Sequence, residues 1–258
     1  MQVVKIDLPK DIQELEILPF ADLHIGDAEC DYQLINEKIE YVKNTPNAYC
    51  VLNGDIINNA TKTSVSDTYS EILSPMEQIN KFIELFEPIK HKILAISSGN
   101  HENRTYIREG INITAVCAKQ LGLSGRFASE GVAVFLRFGE QSKHYHNRKM
   151  VYVLYMTHGS GGGRKEGSKA NRLADMSSII DADIYIHSHT HLPMVLKESF
   201  YRTDVRNSRV EIVEKLFVNT NSYLNYGGYG QAFEFKPNSK EMPIIHLSGT
   251  KRKFKATL

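Results

Sequence analysis

The 258-residue sequence contains no tryptophan, only three cysteines and no apolar run of the length that a transmembrane helix needs. Its first residues also lack the charged-then-apolar pattern of a signal peptide. Cys30, Cys50 and Cys117 lie far apart and show no Cys-x-x-Cys spacing, which is typical of idle thiols in a reducing compartment. We therefore expect a cytoplasmic protein that does not associate with membranes.

An excess of charge of one sign is also missing. Lysine and arginine total 31 against 30 aspartates and glutamates, which gives a formal net charge of +1. Overall electrostatic attraction to a polyanion is therefore excluded, and binding of nucleic acid would depend on a local patch. The 41% of hydrophobic residues is ordinary for a globular protein with a sizeable core. Because we find no internal repeat and no linker rich in proline or serine, we predict a single domain over residues 1–258.

Hydrophobic periodicity predicts alternating strands and helices in the first half of the chain and mostly strands in the second half. The predicted strands cover residues 15–20, 49–52, 92–96, 132–138, 150–157, 183–186, 195–200, 210–217 and 244–247. The predicted helices cover residues 31–44, a segment beginning at Ser74 and burying Met76, and residues 168–180. This order indicates a sandwich of sheets flanked by helices.

Polar side chains of the types that bind metals follow directly after five of the predicted strands. They are Asp22 and His24, then Asp55, then Asn100 beside His101, then His158, and finally His189 and His191. Each fragment alone is compatible with an ordinary turn or a surface histidine. The complete ordered set is more informative, because loops at the carboxyl ends of strands converge on one edge of an α/β sheet.

Two metal ions would explain why these residue types occur together. A phosphate ester resists hydrolysis because its oxygens repel hydroxide, and two ions about 3.5–4 Å apart neutralise those oxygens and lower the pKa of a shared water. Asp55 is the candidate bridge, because a carboxylate can serve both ions. One ion would take Asp22, His24 and His191, and the other would take Asn100, His158 and His189. Mixed oxygen and imidazole ligands favour manganese, with iron, zinc, nickel or cobalt as alternatives.

These motifs resemble those of a known superfamily. Asp22-Leu-His24, Gly54-Asp55, Gly99-Asn100-His101-Glu102, His158 and Ser188-His189-Thr190-His191 are similar in type and order to the motifs of calcineurin-like metallophosphoesterases. The resemblance implies an α/β fold, a four-layer α/β/β/α sandwich of two mixed sheets flanked by helices. It also implies a dinuclear metal centre and supports the ligand assignment above. The two ligand sets leave His101 uncoordinated beside the site, where it is placed to stabilise or protonate the departing alkoxide. The resemblance implies the same role, because His101 matches the motif histidine that assists the leaving group in this superfamily.

The chain departs from the superfamily pattern at the last motif. Ser188 stands where glycine is usual, and an additional histidine, His187, precedes it. The pair His187/His189 is therefore an alternative to His189/His191. We favour the second pair, because Thr190 then falls where the superfamily often has it, and we interpret His187 as a residue behind the ligands.

Several cations could contact the substrate. The glycine-rich loop at residues 159–169 is not a nucleotide-binding P-loop, because serine and then lysine follow its last glycine. Arg164, Lys165 and Lys169 in this segment would grip phosphate as part of a lid, or they are ordinary solvated cations of a surface loop. Arg104 follows the Gly-Asn-His-Glu motif and would contact phosphate or pair with an acidic neighbour.

The residues predict a phosphate-ester substrate but leave its size open. Asp22-Leu-His24-Ile-Gly26 resembles the opening motif of the DNA-repair exonuclease branch, and this favours a phosphodiesterase or nuclease acting on DNA or RNA. The small net charge and the lack of an evident capping domain leave a phosphomonoesterase or a small-molecule phosphodiesterase as the alternative. A non-catalytic scaffold of the same fold is a third hypothesis, against which every ligand position and His101 are filled.

Overall fold

Two mixed sheets, each with six strands in the part of the chain that is described, form the centre of the computed structural model. The structure describes residues 1–62, 64, 68–141, 148–161, 163, 165–237 and 239–258. The first sheet has the spatial order β1 (Gln2–Asp7), β6 (Val132–Phe138), β7 (Met150–Thr157), β8 (Ile184–His187), β10 (Arg209–Asn219) and β9 (Met194–Asp204). The second has the order β12 (Phe254–Thr257), β11 (Ile244–Ser248), β2 (Glu14–Phe20), β3 (Ala48–Asn53), β4 (Ile93–Ser97) and β5 (Phe127–Ala128).

Strands of both sheets run parallel where the candidate ligands follow them. In the second sheet β2, β3, β4 and β5 are parallel, while β11 pairs antiparallel with β2 and with β12. In the first sheet β7, β8 and β10 are parallel, as are β1 and β6, whereas β6–β7 and β9–β10 pair antiparallel. Every residue of β4 is buried, as expected for a strand that is covered on both faces.

Helices cover the outer faces of both sheets. The helices are α1 (Tyr32–Asn44), α2 (Pro75–Phe86), α3 (Asn100–Glu109), α4 (Ile113–Gln120), α5 (Glu166–Asp175) and the short α6 (Gly228–Ala232). Side chains of α1, α2 and α4 pack with the second sheet in one apolar cluster, and Leu173 of α5 packs against Tyr185 and Phe217 of the first sheet. A third cluster lies between the sheets and contains Leu154 and Leu94. The order of layers is therefore α/β/β/α, as expected.

The helices begin where the sequence places start signals. The Asp31 side chain accepts a hydrogen bond from the backbone N–H of Leu34 at 3.0 Å and caps α1. Glu77 accepts hydrogen bonds from the backbone N–H of Ser74 at 2.8 Å and from its hydroxyl at 2.6 Å, so the predicted start of α2 is confirmed. The prediction that Met76 is buried is wrong, because the first turn of α2 lies in solvent and Met76 is 63% exposed.

The helix bounds differ slightly from those predicted from the sequence. The predicted helix at residues 168–180 is α5, which begins two residues earlier at Glu166 and gives way to a 3₁₀ turn over Met176–Ser178. None of the helices in the described ranges has the length and the apolar composition that would let it cross a membrane.

Candidate metal centre

The candidate ligands lie in loops that follow strands of both sheets. Asp22 and His24 follow β2, Asp55 follows β3, Asn100 follows β4, His158 follows β7, and His189 and His191 follow β8. Because these strands are parallel within each sheet, their carboxyl ends form one edge of the sandwich, where ligands bind in open α/β folds. The structure brings all seven predicted ligands together at this edge.

One group of ligand atoms belongs to Asp22, His24 and His191, and these atoms all lie within 4.8 Å of one another. The Oδ1 atom of Asp22 is 3.0 Å from Nε2 of His191. The Nε2 atoms of His24 and His191 are 3.5 Å apart. Two imidazole nitrogens and a carboxylate oxygen at one point are a donor set that suits a divalent transition metal.

A second group belongs to Asp55, His158 and His189, whose ligand atoms again lie within 4.8 Å of one another. Nε2 of His158 is 3.1 Å from Oδ2 of Asp55 and 3.1 Å from Oδ1 of Asn100. Asp55 also forms a group with His24 and His101, so this carboxylate contacts residues on both sides of the cluster. The first group has the residues of the first predicted ligand set, and the second combines the predicted bridge Asp55 with His158 and His189, beside which Asn100 lies.

The backbone is strained at most of these positions. Eight non-glycine residues of the described chain have positive φ angles, and five of them are candidate ligands. The five are Asp22 (φ 51°), His24 (48°), Asp55 (50°), His189 (68°) and His191 (51°). A left-handed conformation costs an L-residue roughly 1–2 kcal/mol, and such strain concentrates at functional sites. The clustering therefore points to a function for this edge rather than to ordinary turns.

Two carboxylates are fully buried in the cluster. Burial opposes the charged form of Asp22, but the nearby His191 and His158 outweigh it and lower the pKa of that carboxyl to about 2. For Asp55 burial acts in the same way, and His101 and His158 hold its pKa well below the usual range. Both side chains are therefore anionic at neutral pH. Buried anions require nearby cations, and this charge balance fits bound metal ions.

The pKa values of the candidate histidine ligands shift in opposite directions. Burial lowers the pKa of His24 and of His189, so these side chains are neutral, which is the form that binds metals. Burial also disfavours the charged form of His158, but Asp55 and Asp22 outweigh burial and raise its pKa to about 10. Nε2 of His158 lies 3.1 Å from Oδ2 of Asp55 and 3.9 Å from Oδ1 of Asp22, where a bound cation would take the place of the proton. The donor set and its charge fit two divalent ions.

Hydrogen bonds from Nδ1 orient three of the histidines. Nδ1 of His158 lies 2.8 Å from the carbonyl oxygen of Asn53, and Nδ1 of His101 lies 2.6 Å from that of Asn58. The Asn58 side chain also lies 3.3 Å from Nδ1 of His24. When Nδ1 donates to such an acceptor, Nε2 is left free to face the site. These roles of Asn53 and Asn58 were not predicted from the sequence, although Asn53 directly precedes Gly54 and Asn58 follows Asp55 by three residues.

Glu102 is a further residue whose part in the site the sequence did not predict. Its carboxylate accepts hydrogen bonds from the backbone N–H of Asp55 at 3.1 Å, of Ile57 at 3.1 Å and of Gly99 at 2.8 Å. Burial, with the charge of Asp55, raises the pKa of Glu102 to about 7. Gly99 lies so close to the Asp55 carboxylate that a β-carbon at this position would overlap it. These contacts hold Asp55 in place.

His187 lies behind the cluster. Its Nδ1 atom is 2.9 Å from Oδ1 of Asn219, whose amide group donates to the Thr190 hydroxyl at 2.8 Å and to the Leu192 carbonyl at 2.6 Å. Ser188, the departure from the superfamily pattern, accepts a hydrogen bond from Asn53 at 2.6 Å. The loop that carries His189 and His191 is therefore bound on one side by Asn219 and on the other by Asn53.

The comparison with protein families agrees with this geometry. The sequence matches the model of the calcineurin-like phosphoesterase family over residues 15–193, a segment that contains all seven candidate ligands and His101. The chain belongs to the calcineurin-like phosphoesterases. Membership accounts for the resemblance of the motifs and for the two mixed sheets flanked by helices.

Solved structures with a similar fold cover most of the chain at low sequence identity. A predicted phosphoesterase from Streptococcus pneumoniae is 13% identical, with 95% of this chain and 88% of that chain covered and a TM-score of 0.40. Vacuolar protein sorting 29 from Cryptosporidium parvum is 17% identical, with coverage of 95% and 96% and a TM-score of 0.43. A metallophosphoesterase from Sphaerobacter thermophilus is 11% identical, with coverage of 91% and 84% and a TM-score of 0.42. No curated protein matches the sequence.

The predicted substrate contacts of this calcineurin-like phosphoesterase differ in their surroundings. Arg104 lies one turn after His101 on α3, and its Nη1 atom is 3.5 Å from the Asn58 carbonyl that also binds His101. Lys169 donates to the Thr190 carbonyl at 2.7 Å, between the two histidines of the last motif. Lys165 is exposed just before α5, and Arg164 lies outside the described residues.

Proposed function

We propose that this calcineurin-like phosphoesterase hydrolyses phosphodiesters, with single-stranded DNA or RNA as the leading substrate and two manganese ions as cofactors. The observation that carries the proposal is the meeting of seven metal-ligand side chains, five of them on strained backbone, at one edge of the sandwich. Three buried free cysteines agree with a reducing cytoplasm as the place where it acts.

The two groups of side chains would hold one ion each. Asp22, His24 and His191 would bind the first ion, Asn100, His158 and His189 would bind the second, and Asp55 would bridge them. When bound, two such ions supply a hydroxide from a shared water at neutral pH and neutralise the oxygens of the phosphate. The chain itself contributes the fixed orientation of the ligands, because the Nδ1 atoms of His24 and His158 are engaged by asparagine oxygens.

His101 would act on the leaving group. Its Nδ1 atom is engaged by the Asn58 carbonyl at 2.6 Å, and its Nε2 atom lies 3.7 Å from Oδ2 of Asp55. Nε2 therefore faces the cluster. Because Nδ1–H is held by Asn58 and burial lowers the pKa of His101, Nε2 must take up a proton before it can pass one to the departing alkoxide. Arg104, which shares the Asn58 carbonyl with His101, would neutralise a phosphate oxygen on the same side.

Two observations bear on the size of the substrate. Lys165 is exposed and follows the candidate ligand His158 by seven residues in the sequence, so it would contact a neighbouring phosphate of a polymer, which supports a nucleic-acid substrate. Lys169 already binds the Thr190 carbonyl, so it has less capacity to grip phosphate. This second contact favours a small phosphodiester or a phosphomonoester as the alternative substrate.

The roles of two histidines provide the test of the metal proposal. His189→Ala should lower the manganese content of the purified protein, as measured by elemental analysis. His101→Ala should keep both ions and lose roughly 10²–10⁴-fold in rate, the usual contribution of a general acid. Loss of metal from His101→Ala together with full occupancy in His189→Ala would contradict this assignment.

The substrate is tested with a generic diester, the corresponding monoester and single-stranded DNA, each with manganese. A nuclease prefers the diester to the monoester and cleaves DNA. Lys165→Ala should slow cleavage of DNA but not of the small diester, and the salt dependence of DNA binding should fall by about 0.7 for this one lost contact. Lys81→Ala, which removes a partly exposed lysine of α2 paired with Glu84, is the control. Preference for the monoester without cleavage of DNA would establish the alternative.

A further inference from the structure

The hairpin of β9 and β10 extends beyond the rest of its sheet. β8 pairs with β10 only along residues 216–219, whereas β9 and β10 pair along all 11 residues of each strand. We call the outer part, residues 197–204 and 209–215, the arm. β9 is the edge strand of the sheet, and its pairing with β10 has no register shift. A long regular edge strand without proline is a template for pairing with another strand.

One face of the arm is apolar and exposed. Tyr201 is 81% exposed and lies directly opposite Ile212, which is 67% exposed, and Val210 on the same face is 61% exposed. Further along β10, the same face carries Leu216 and Val218, which are buried between the two sheets. Between these two parts the face carries the ion pair of Lys197 with Glu214 at 2.7 Å, so the exposed apolar patch consists of Tyr201, Ile212 and Val210. Contiguous exposed apolar residues of this kind are typical of a protein contact.

The opposite face of the arm carries charges that are incompletely paired. The carboxylate closest to Arg202 is that of Glu211, at 3.7 Å, and a second arginine also binds this carboxylate. Glu198 lies opposite Lys215 in the ladder, but Lys215 donates to Asp181 at 2.7 Å. Among the residues that the structure describes, no cation lies within 4.0 Å of the Glu198 carboxylate. Glu198 and Arg202 are therefore available to a partner.

We propose that β9 pairs with β9 of a second copy of this chain, antiparallel about a two-fold axis at Phe200. In this register Phe200 faces its own copy, and Glu198 of each chain lies opposite Arg202 of the other. The two-fold axis makes this contact twice. The two first sheets then join into one continuous sheet, and the apolar faces of the two arms become neighbours.

The charges of β9 favour this register over adjacent ones. An axis between two residues is excluded, because residues directly opposite one another in an antiparallel pair lie on the same face of the sheet. An axis at Ser199 would place Glu198 opposite Phe200 and Arg202 opposite Leu196, without a charge pair. An axis at Tyr201 would place Glu198 opposite Asp204, which has the same charge. Like charges directly opposite one another destabilise an antiparallel pair. Self-complementarity about Phe200 is the argument that the occupant is a second copy rather than an unrelated protein.

Sedimentation velocity over a series of protein concentrations tests the proposal. The wild-type protein should dimerise. Glu198→Arg and Arg202→Glu should each weaken the dimer about tenfold or more, because each change opposes like charges at two symmetric contacts. The double variant E198R/R202E restores both pairs with reversed sign, so it should dimerise like the wild type. Glu84→Arg is the matched control, because it makes the same change at an exposed glutamate of α2, away from β9.

Circular dichroism shows whether each variant folds, and hydrogen exchange gives a second measurement that needs no variant. Exchange at the outward amides of β9 should slow as the wild-type concentration rises. A wild-type protein that stays monomeric at every concentration overturns the proposal. A dimer that both single variants leave unchanged, or that the double variant does not restore, uses another surface and overturns it as well.

Discussion

Asn219→Ala should weaken metal binding although Asn219 is not a candidate ligand. The side chain is 2% exposed and makes three hydrogen bonds within the loop of the last motif, to His187, Thr190 and Leu192. These bonds hold the loop in which His189 and His191 have positive φ angles. Loss of a residue that orients metal ligands typically lowers metal affinity about 10–100-fold. Three lost hydrogen bonds at about 0.5–1.5 kcal/mol each lower the free energy of unfolding by about 1.5–4.5 kcal/mol.

Asn221→Ala is the control that separates these two effects. Asn221 is also buried and also has three hydrogen-bond partners, the carbonyls of Ser239 at 2.5 Å and Glu241 at 3.0 Å and the backbone N–H of Ser222 at 2.9 Å. Its contacts hold the segment after α6 rather than the histidine loop. Asn221→Ala should therefore destabilise the protein by a similar amount and leave metal affinity unchanged.

The assay is calorimetric titration of manganese into chelator-treated protein, with thermal unfolding measured in parallel without metal. Only Asn219→Ala should show the loss of affinity, whereas both variants should unfold at lower temperature. Wild-type manganese affinity in both variants, or the same loss of affinity in both, would refute the reasoning that Asn219 acts through the histidine loop.

Three other perturbations follow from the structure. Lys92→Met should lower the free energy of unfolding by about 1.5–3 kcal/mol in urea denaturation, because Nζ donates to the Val42 carbonyl at 2.6 Å and the Thr45 carbonyl at 2.7 Å at the end of α1. Gly99→Ala should displace the Asp55 carboxylate and lower manganese affinity in the same titration, whereas Gly125→Ala, with open space around it, should not. Manganese at 100 times its dissociation constant should stabilise the wild type by about 2.7 kcal/mol in a thermal shift assay, and Asp55→Asn should remove most of this gain.

The sequence predicts the central strands well because buried runs carry a strong signal. The edge strands of the first sheet were missed or predicted too short, because they bury few side chains. β1 buries only Val4 and Ile6, which is too little to stand out, yet it pairs with β6 along six residues. β9 was predicted to end at residue 200 but continues to Asp204. Its outer residues Tyr201, Arg202 and Thr203 are all exposed, so no buried face marks this part of the strand in the sequence. α3 buries only His101 and Glu102, so it shows no apolar periodicity.

The candidate ligands could be predicted because each directly follows a buried strand, whereas the residues that orient them could not. Asn53 contacts Ser188, which lies 135 positions away in the sequence, and Asn219 contacts His187 across 32 positions. Such pairs depend on which strands become neighbours, and sequence periodicity does not contain this information. A usable signal was nevertheless present, because Asn53 and Asn219 are themselves the last residues of strands.

The loops of the candidate metal centre are held by backbone hydrogen bonds that involve no ligand side chain. The N–H of Asp22 donates to the Gly54 carbonyl at 3.1 Å, and that of His24 donates to the Asp55 carbonyl at 3.1 Å. In the first sheet, the N–H of Ser188 donates to the His158 carbonyl at 3.1 Å. The ladders of both sheets thus continue into these loops, and side chains add to them, because the Asp22 carboxylate accepts a hydrogen bond from the backbone N–H of His189 at 3.1 Å. Replacing Asp22 should therefore also loosen the loop of His189. Replacing a histidine ligand such as His24 should leave the other loops in position, so the histidine variants measure metal binding rather than folding.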